Sequence, residues 1–141
     1  MTAQLLTGDR QFESQQVRRI LLIEDNDVNR MFLSDYLSYF GYDVHSLSGG
    51  SAFFSTVEKF QPDLMLLDLK LPDIDGYSLL KQIQQKPDLS KIPVIVVSAF
   101  AFKADKERAM DLGARRYIVK PVNLTDLILT IEEEFTCRHI I

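Results

Sequence analysis

Leu64-Met65-Leu66-Leu67 is a run of four apolar residues that ends on an acid, Asp68. Pro62 stands before it, and the turn-forming stretch Pro72–Gly76 follows. A short, continuously apolar run between turn signals suits a strand buried on both faces. Such strands belong to parallel sheets covered by helices on both sides. In open sheets of that kind, ligands bind beyond the carboxyl ends of the strands. A buried strand gains nothing from a terminal acid, so Asp68 requires partners elsewhere in the chain.

The rest of the chain supplies the strands and helices that such a sheet needs. Arg18-Arg19-Ile20-Leu21-Leu22-Ile23 is a second apolar strand, and it runs into Glu24-Asp25-Asn26-Asp27. Asn26 or Asp27 caps the helix that follows. Leu33, Leu37 and Phe40 form its stripe, with Phe32 and Tyr36 flanking, and Gly41 ends it. Tyr42 to Leu47 reads as a strand, Ser48–Ser51 as an ordinary turn and Ala52 to Phe60 as a helix. The loop Lys70–Gly76 leads into a helix over 77–84, with Leu79, Leu80 and Ile83 inward. Pro87 and Pro93 bracket a linker. Ile92 to Val97 is a β-branched strand ending at Ser98. A helix over 103–112 closes at Gly113. Arg116 to Val119 is a fifth strand, ending at Lys120-Pro121. The last helix starts near Leu124, with Leu127, Ile128, Ile131 and Phe135 on one face and Glu132 to Glu134 mostly outward. Five alternations of strand and helix imply one α/β domain with a five-stranded parallel sheet.

The 141 residues hold one core and not two. A formal net charge of −4 gives no electrostatic reason to expect nucleic acid or an anionic membrane as a direct partner. The single cysteine, Cys137, excludes a disulfide framework within the chain and fits a reducing cytoplasm. Residues 1–16 are polar and read as a flexible extension without a signal-peptide core. The domain is expected over 17–136, with 137–141 as a tail.

Four of the five strands end in a polar group: Glu24-Asp25, Asp68, Ser98 and Lys120. In a parallel sheet these ends converge. Three carboxylates brought together raise one another's pKa unless a cation intervenes. Oxygen ligands without His or Cys suit a hard ion, Mg²⁺ rather than Zn²⁺. Mg²⁺ keeps several waters and accepts a phosphate oxygen. Lys120 and the Ser98 hydroxyl add a point charge and a donor for a second anionic ligand. Such a site holds a phosphoryl group on a carboxylate, and Asp68, on the central strand, is the natural nucleophile.

These motifs in this order resemble the receiver domain of the bacterial response-regulator family. The resemblance rests on the acidic pair Glu24-Asp25, on Asp68, on Ser98-Ala99 and on Lys120-Pro121. The loop Leu71-Pro72-Asp73-Ile74-Asp75-Gly76, the segment Leu112-Gly113-Ala114 and Tyr117 complete it. It covers about residues 17–136. It implies a flavodoxin-like (βα)5 doubly wound fold with strand order 2-1-3-4-5.

The resemblance also implies roles. Asp25 and Asp68 bind Mg²⁺, or Mn²⁺ in its place, with Glu24 acting largely through water and the Lys70 backbone carbonyl completing the protein ligands. A sensor histidine kinase or histidine phosphotransfer protein phosphorylates Asp68, and Mg²⁺, Lys120 and Ser98 supply charge neutralisation. Ser98 swings toward the phosphoryl oxygen and Tyr117 turns inward. The face made by the helix over 103–112, the strand Arg116–Val119 and the last helix then repacks, and an unknown protein target reads it. The lysine–proline bond resembles the family's cis peptide, which aims Lys120 into the site. The side chains of Lys70 and Phe100 tune the lifetime of the phosphorylated state. The chain is thereby a phosphoacceptor that catalyses its own phosphorylation and dephosphorylation, not a turnover enzyme. It is expected to be a cytoplasmic stand-alone receiver, either monomeric or dimeric on phosphorylation, without nucleic-acid contact or membrane insertion.

Other function classes fit less well. A haloacid-dehalogenase-type phosphatase needs a second acid two residues after the nucleophile, and Lys70 occupies that place. A phosphorylation-independent interaction module usually lacks one of the acids or the lysine, and this chain has them all. A receiver excised from a hybrid kinase or a larger regulator is the remaining alternative. Asp25-Asn26-Asp27-Val28-Asn29-Arg30 resembles receivers of multi-step phosphorelays. Arg115-Arg116 stand where many DNA-binding regulators carry acids, so their salt-bridged dimer is not expected here. Asp73 and Asp75 read as turn residues. His45 and His139 lack any ligand pattern around them.

Overall fold

The computed structural model describes residues 16–140, with side chains as far as Thr136. The expected extension therefore lies, but for Gln16, outside the described residues. Strands β1 (Arg19–Ile23), β2 (Asp43–Leu47), β3 (Leu64–Leu67), β4 (Val94–Ser98) and β5 (Arg116–Val119) form one sheet in the order β2-β1-β3-β4-β5. Every pairing in it is parallel. The helices are α1 (Asp27–Tyr39), α2 (Phe53–Phe60), α3 (Gly76–Gln84), α4 (Pro87–Ser90), α5 (Lys103–Asp111) and α6 (Leu124–Ile140). This is the five-stranded doubly wound arrangement that the alternation of elements predicts.

The strand residues divide by parity, because successive side chains point to opposite faces of a sheet. Leu21, Ile23, Met65, Leu67, Val94 and Val96 pack with Phe53, Leu79, Leu80 and Ile83 of α2 and α3. Ile20, Leu22, Leu64, Leu66, Ile95 and Val97 pack with Leu33 and Leu37 of α1 and Leu127, Ile131 and Phe135 of α6. All four residues of β3 are buried. Each such leucine contributes roughly 1.5–3 kcal/mol by leaving water. The central strand is thus anchored from both sides.

Helix boundaries follow local chemistry. Asn26 caps α1, its side-chain oxygen accepting from the Asn29 amide at 2.9 Å. Asp75 caps α3 through the Tyr77 amide. Gly41 and Gly113, with φ of +94° and +106°, follow the ends of α1 and α5 in the left-handed conformation that glycine adopts without a Cβ clash.

Four details differ from the sequence reading. Phe40 is not part of the buried stripe: it is the C-cap of α1 and is 48% exposed, because the chain is already leaving the helix there. The linker between the two prolines contains a helical turn, α4, with Pro87 at its first position, where a missing N–H costs nothing. The last helix carries on to Ile140, through residues read as a tail, since no glycine or proline interrupts it. Glu134 is not outward: it is 2% exposed and paired with Arg115 and Arg116, at 3.3 and 2.9 Å. Helical periodicity turns it toward β5, and the two arginines make that burial tolerable.

Candidate phosphoryl-acceptor site

The sheet register sets the site. Ile23 pairs with Leu67, so Glu24 and Asp68 leave adjacent strands side by side. Ser98 pairs with Val119, so Lys120 emerges just past Ser98. The chain continues the ladder briefly at each end: the Asp68 amide donates to the Ile23 carbonyl, and the Lys120 amide to the Ser98 carbonyl.

At this edge carboxylate oxygens of Glu24, Asp25 and Asp68 all lie within 4.8 Å of one another. Glu24 and Asp68 are buried and Asp25 is exposed. Lys120 Nζ donates to Glu24 Oε1 at 2.7 Å and to Asp68 Oδ2 at 2.9 Å. The second oxygens are also engaged. Glu24 Oε2 accepts from the Asn26 amide at 3.1 Å, and Asp68 Oδ1 from the Lys70 amide at 3.1 Å. Burial pushes the Glu24 carboxyl above the ordinary carboxylate range, and the nearby Asp68 charge adds to this, despite the opposing bonds from Lys120 and Asn26. Burial works against the Lys120 ammonium, yet its bonds to Glu24 and Asp68 outweigh that and hold its pKa above the usual lysine value. The Lys120–Pro121 peptide is cis.

Ser98 is fully buried, and its hydroxyl accepts from the Phe100 amide at 3.1 Å. The Tyr117 hydroxyl donates to the Phe100 carbonyl at 2.8 Å, and its ring is half-buried against the core of the α2 and α3 face. Burial raises its phenol pKa. The structure therefore brings the carboxylates of Glu24, Asp25 and Asp68 within 4.8 Å of one another and sets Lys120 against Glu24 and Asp68. Ser98 and Tyr117 meet at the backbone of Phe100. Lys70 takes part through its amide and forms a bridge with Asp75 across the loop.

Two supporting residues escape the sequence reading. Arg30, from α1, donates to the Glu24 carbonyl at 2.9 Å and pairs with Asp27 at 2.6 Å, so it ties down the backbone that carries the acidic pair. Its spacing of three from Asp27 is a helical ion-pair signal, but its reach to Glu24 depends on how the chain enters α1. Asp73 reaches the Gly50 and Ser51 amides on a loop distant in sequence, for which no local signal exists.

The family described as "Response regulator receiver domain" matches residues 20–132. The polar-differentiation response regulator DivK of Brucella anthropi is 33% identical over 115 residues, covering 82% of this chain and 94% of that protein. A CheY-like response regulator receiver domain protein from Methanospirillum hungatei is 27% identical, with a TM-score of 0.81 over 88% of this chain and 98% of that one. The receiver domain of a sensor histidine kinase from Pseudomonas aeruginosa, solved with a magnesium ion coordinated in its active-site cleft, is 30% identical. Its TM-score is 0.76, covering 83% of this chain and 96% of that one. Among the described residues no helix is long and apolar enough to cross a membrane. By sequence, by strand order and by the acids gathered at the sheet edge, the chain belongs to the response regulator receiver domain family.

Proposed function

We propose that residues 17–136 act as a phosphoryl-accepting switch in which Asp68 is the acceptor. The observation that carries this reading is the cluster of Glu24, Asp25 and Asp68 oxygens spanned by the Lys120 ammonium. The donor set is made of hard oxygens alone, which fits Mg²⁺ or Mn²⁺. Asp25 and Asp68 would hold the ion directly, Glu24 largely through water, and the Lys70 carbonyl would complete the protein ligands. When bound, the ion supplies positive charge to the phosphoryl oxygens and to the acids around them.

An Asp68 oxygen attacks the phosphorus of a phosphohistidine; a P–O bond forms, the P–N bond breaks, and the imidazole leaves with the electron pair and takes a proton. Lys120 already stands against Asp68 and neutralises charge on the product. The Ser98 hydroxyl exchanges its bond with the Phe100 amide for one to a phosphoryl oxygen. Because Tyr117 is held by the carbonyl of the same Phe100, motion of this segment passes to β5 and to the face formed by α5, β5 and α6. Hydrolysis of the acyl phosphate at the same site resets the switch, so the chain promotes its own phosphorylation and dephosphorylation. Side chains of Lys70 and Phe100 beside the site tune the lifetime of that state.

The donor is a histidine kinase or, from the Asp25–Arg30 pattern, a histidine phosphotransfer protein, working in the cytoplasm where ATP feeds it. Beside the site a cavity of about 470 Å³ joins Glu24 and Lys120 to Phe32, Leu33, Val122 and Leu124. Phe32 of α1 lines this cavity and is 57% exposed; Val28 and Met31 of the same helix line a separate pocket beside Asp35 and Ser46 and are 68 and 62% exposed. An apolar surface continuous with the acceptor supports docking of the phosphohistidine-bearing partner there.

The test is intact mass after treatment with a small phosphodonor and Mg²⁺. One phosphoryl adduct is expected on the wild type, none on Asp68→Asn and much less without Mg²⁺. An unmodified wild type under these conditions overturns the reading. Phosphate exchange with a transmitter kinase alone, and none with a histidine phosphotransfer domain, overturns the phosphotransfer protein drawn from the Asp25–Arg30 pattern and leaves the kinase as donor.

A further inference from the structure

The loop between β3 and α3 is tied at both base and tip. At its base the Gly76 amide donates to the Leu69 carbonyl at 2.9 Å, and Lys70 and Asp75 form an antiparallel bridge. A Cβ on Gly76 would run into the Leu69 backbone, so this closure requires glycine. At the tip, Asp73 Oδ1 accepts from the Gly50 amide at 2.9 Å and Oδ2 from the Ser51 amide at 2.8 Å. These partners lie 23 and 22 residues away in sequence.

The two loops are shaped for each other. A Cβ on Gly49 would stand 2.7 Å from Asp73 Oδ1, and one on Gly50 would meet a methyl group of Ile74. Gly49-Gly50 is thus more than a turn: it is the space that lets Asp73 and Ile74 approach. Each tied loop leads to one side of the acidic site. The β3–α3 loop begins at Lys70, whose amide bonds the Asp68 carboxylate. The β2–α2 loop follows Leu47, whose carbonyl accepts from the Glu24 amide at 3.0 Å.

We propose that Asp73 is a positioning residue for the metal site: its carboxylate bolts the Lys70 loop to the Gly49–Ser51 turn and so fixes the Lys70 carbonyl relative to Asp68 and Glu24. Asp73 touches neither metal nor phosphoryl group. Its effect arises because a ligand on an untethered loop must be ordered when the ion binds, at a cost in affinity. The inference rests on the metal-site reading above.

Mg²⁺ alone is titrated into wild type, Asp73→Ala and Asp73→Asn by calorimetry, and amide exchange is followed by NMR on the same samples. Asp73→Ala is expected to bind Mg²⁺ about tenfold more weakly, the scale seen when groups supporting metal ligands are removed. Its Gly50 and Ser51 amides lose protection, while amides of β1, β3 and β4 keep theirs. Asp73→Asn retains one acceptor oxygen and falls between the two. Wild-type Mg²⁺ affinity in Asp73→Ala overturns the proposal, as does unchanged protection of Gly50 and Ser51. A uniform loss of protection across the sheet also overturns it, since Asp73 would then be a general stability element. If the wild type itself takes up no Mg²⁺, the metal-site reading falls and this inference with it, a result distinguishable from failure of the Asp73 variants alone.

Discussion

Lys120 Nζ lies 2.7 Å from Glu24 Oε1, joining residues 96 apart in sequence at a point where Glu24 is buried and the lysine side chain is 20% exposed. The same ammonium reaches Asp68. One lysine therefore holds together two acids from adjacent strands. Without it, two buried carboxylates and the exposed Asp25 would face one another with no side-chain cation bonded between them among the described residues.

Lys120→Ala is expected to destabilise the fold by about 3 kcal/mol, the scale for removing one partner of a buried charge pair. Mg²⁺ should raise its melting temperature more than that of the wild type, because the ion takes over the neutralisation that Lys120 provides. Thermal melts with and without Mg²⁺ measure this. Equal shifts in the two proteins would show that Lys120 and the ion do not share the task.

The Glu134 cluster should respond asymmetrically. Arg115 and Arg116 are partly exposed and can turn to water, whereas Glu134 is buried. Glu134→Gln is therefore expected to cost about 1 kcal/mol, as for an exposed pair. The double variant Arg115→Ala/Arg116→Ala strands a buried carboxylate and is expected to cost about 3 kcal/mol. Urea midpoints compare them. A larger loss in Glu134→Gln than in the double variant would contradict the assigned burial.

Gly76→Ala forces a Cβ into the Leu69 backbone, which cannot rotate aside as a side chain can. The expected cost is about 2 kcal/mol, typical of overpacking. Phosphoryl uptake should slow as well, because Leu69 directly follows Asp68. Denaturant unfolding and the intact-mass assay read the two effects separately; a normal uptake rate in a destabilised protein would separate loop closure from the chemistry.

The Asp73 carboxyl is held below the usual aspartate range, chiefly by the Gly50 amide and also by the Ser51 amide, against some desolvation. A depressed acid contributes its stabilisation above the unfolded pKa and loses it as pH falls through the folded one. The wild type should therefore lose stability as pH drops below the ordinary aspartate value. Asp73→Asn should flatten that part of the acid limb, because asparagine does not titrate there. Chemical denaturation at a series of acid pH values tests this. An identical acid limb in the variant would show that Asp73 carries no part of it.

Much of the fold was legible because its signals are local. Buried parallel strands read as unbroken apolar runs, and helices as stripes closed by glycine. The acids, hydroxyl and lysine at the strand ends were legible for the same reason, since a polar residue ending an apolar run stands out. Phe40 was misplaced because periodicity does not mark where a helix stops presenting a face. Glu134 was misplaced because a run of three glutamates looks solvated until its partners are known. Its partners, Arg115 and Arg116, were visible only as two adjacent charges.

By itself the sequence determined the order of strands and helices and placed the chemical groups at strand ends, because those properties depend on neighbours along the chain. Tertiary structure decided which groups touch. The Lys120 bridge between Glu24 and Asp68, the Arg30 tie to the Glu24 backbone and the Asp73 bond to Gly50 and Ser51 all span separate elements. The first and third also depend on parallel register and loop approach, which bring distant residues within hydrogen-bond range only after the sheet has formed. The acid at the end of β3 is a local fact; the charge and the scaffold that surround it are products of the fold.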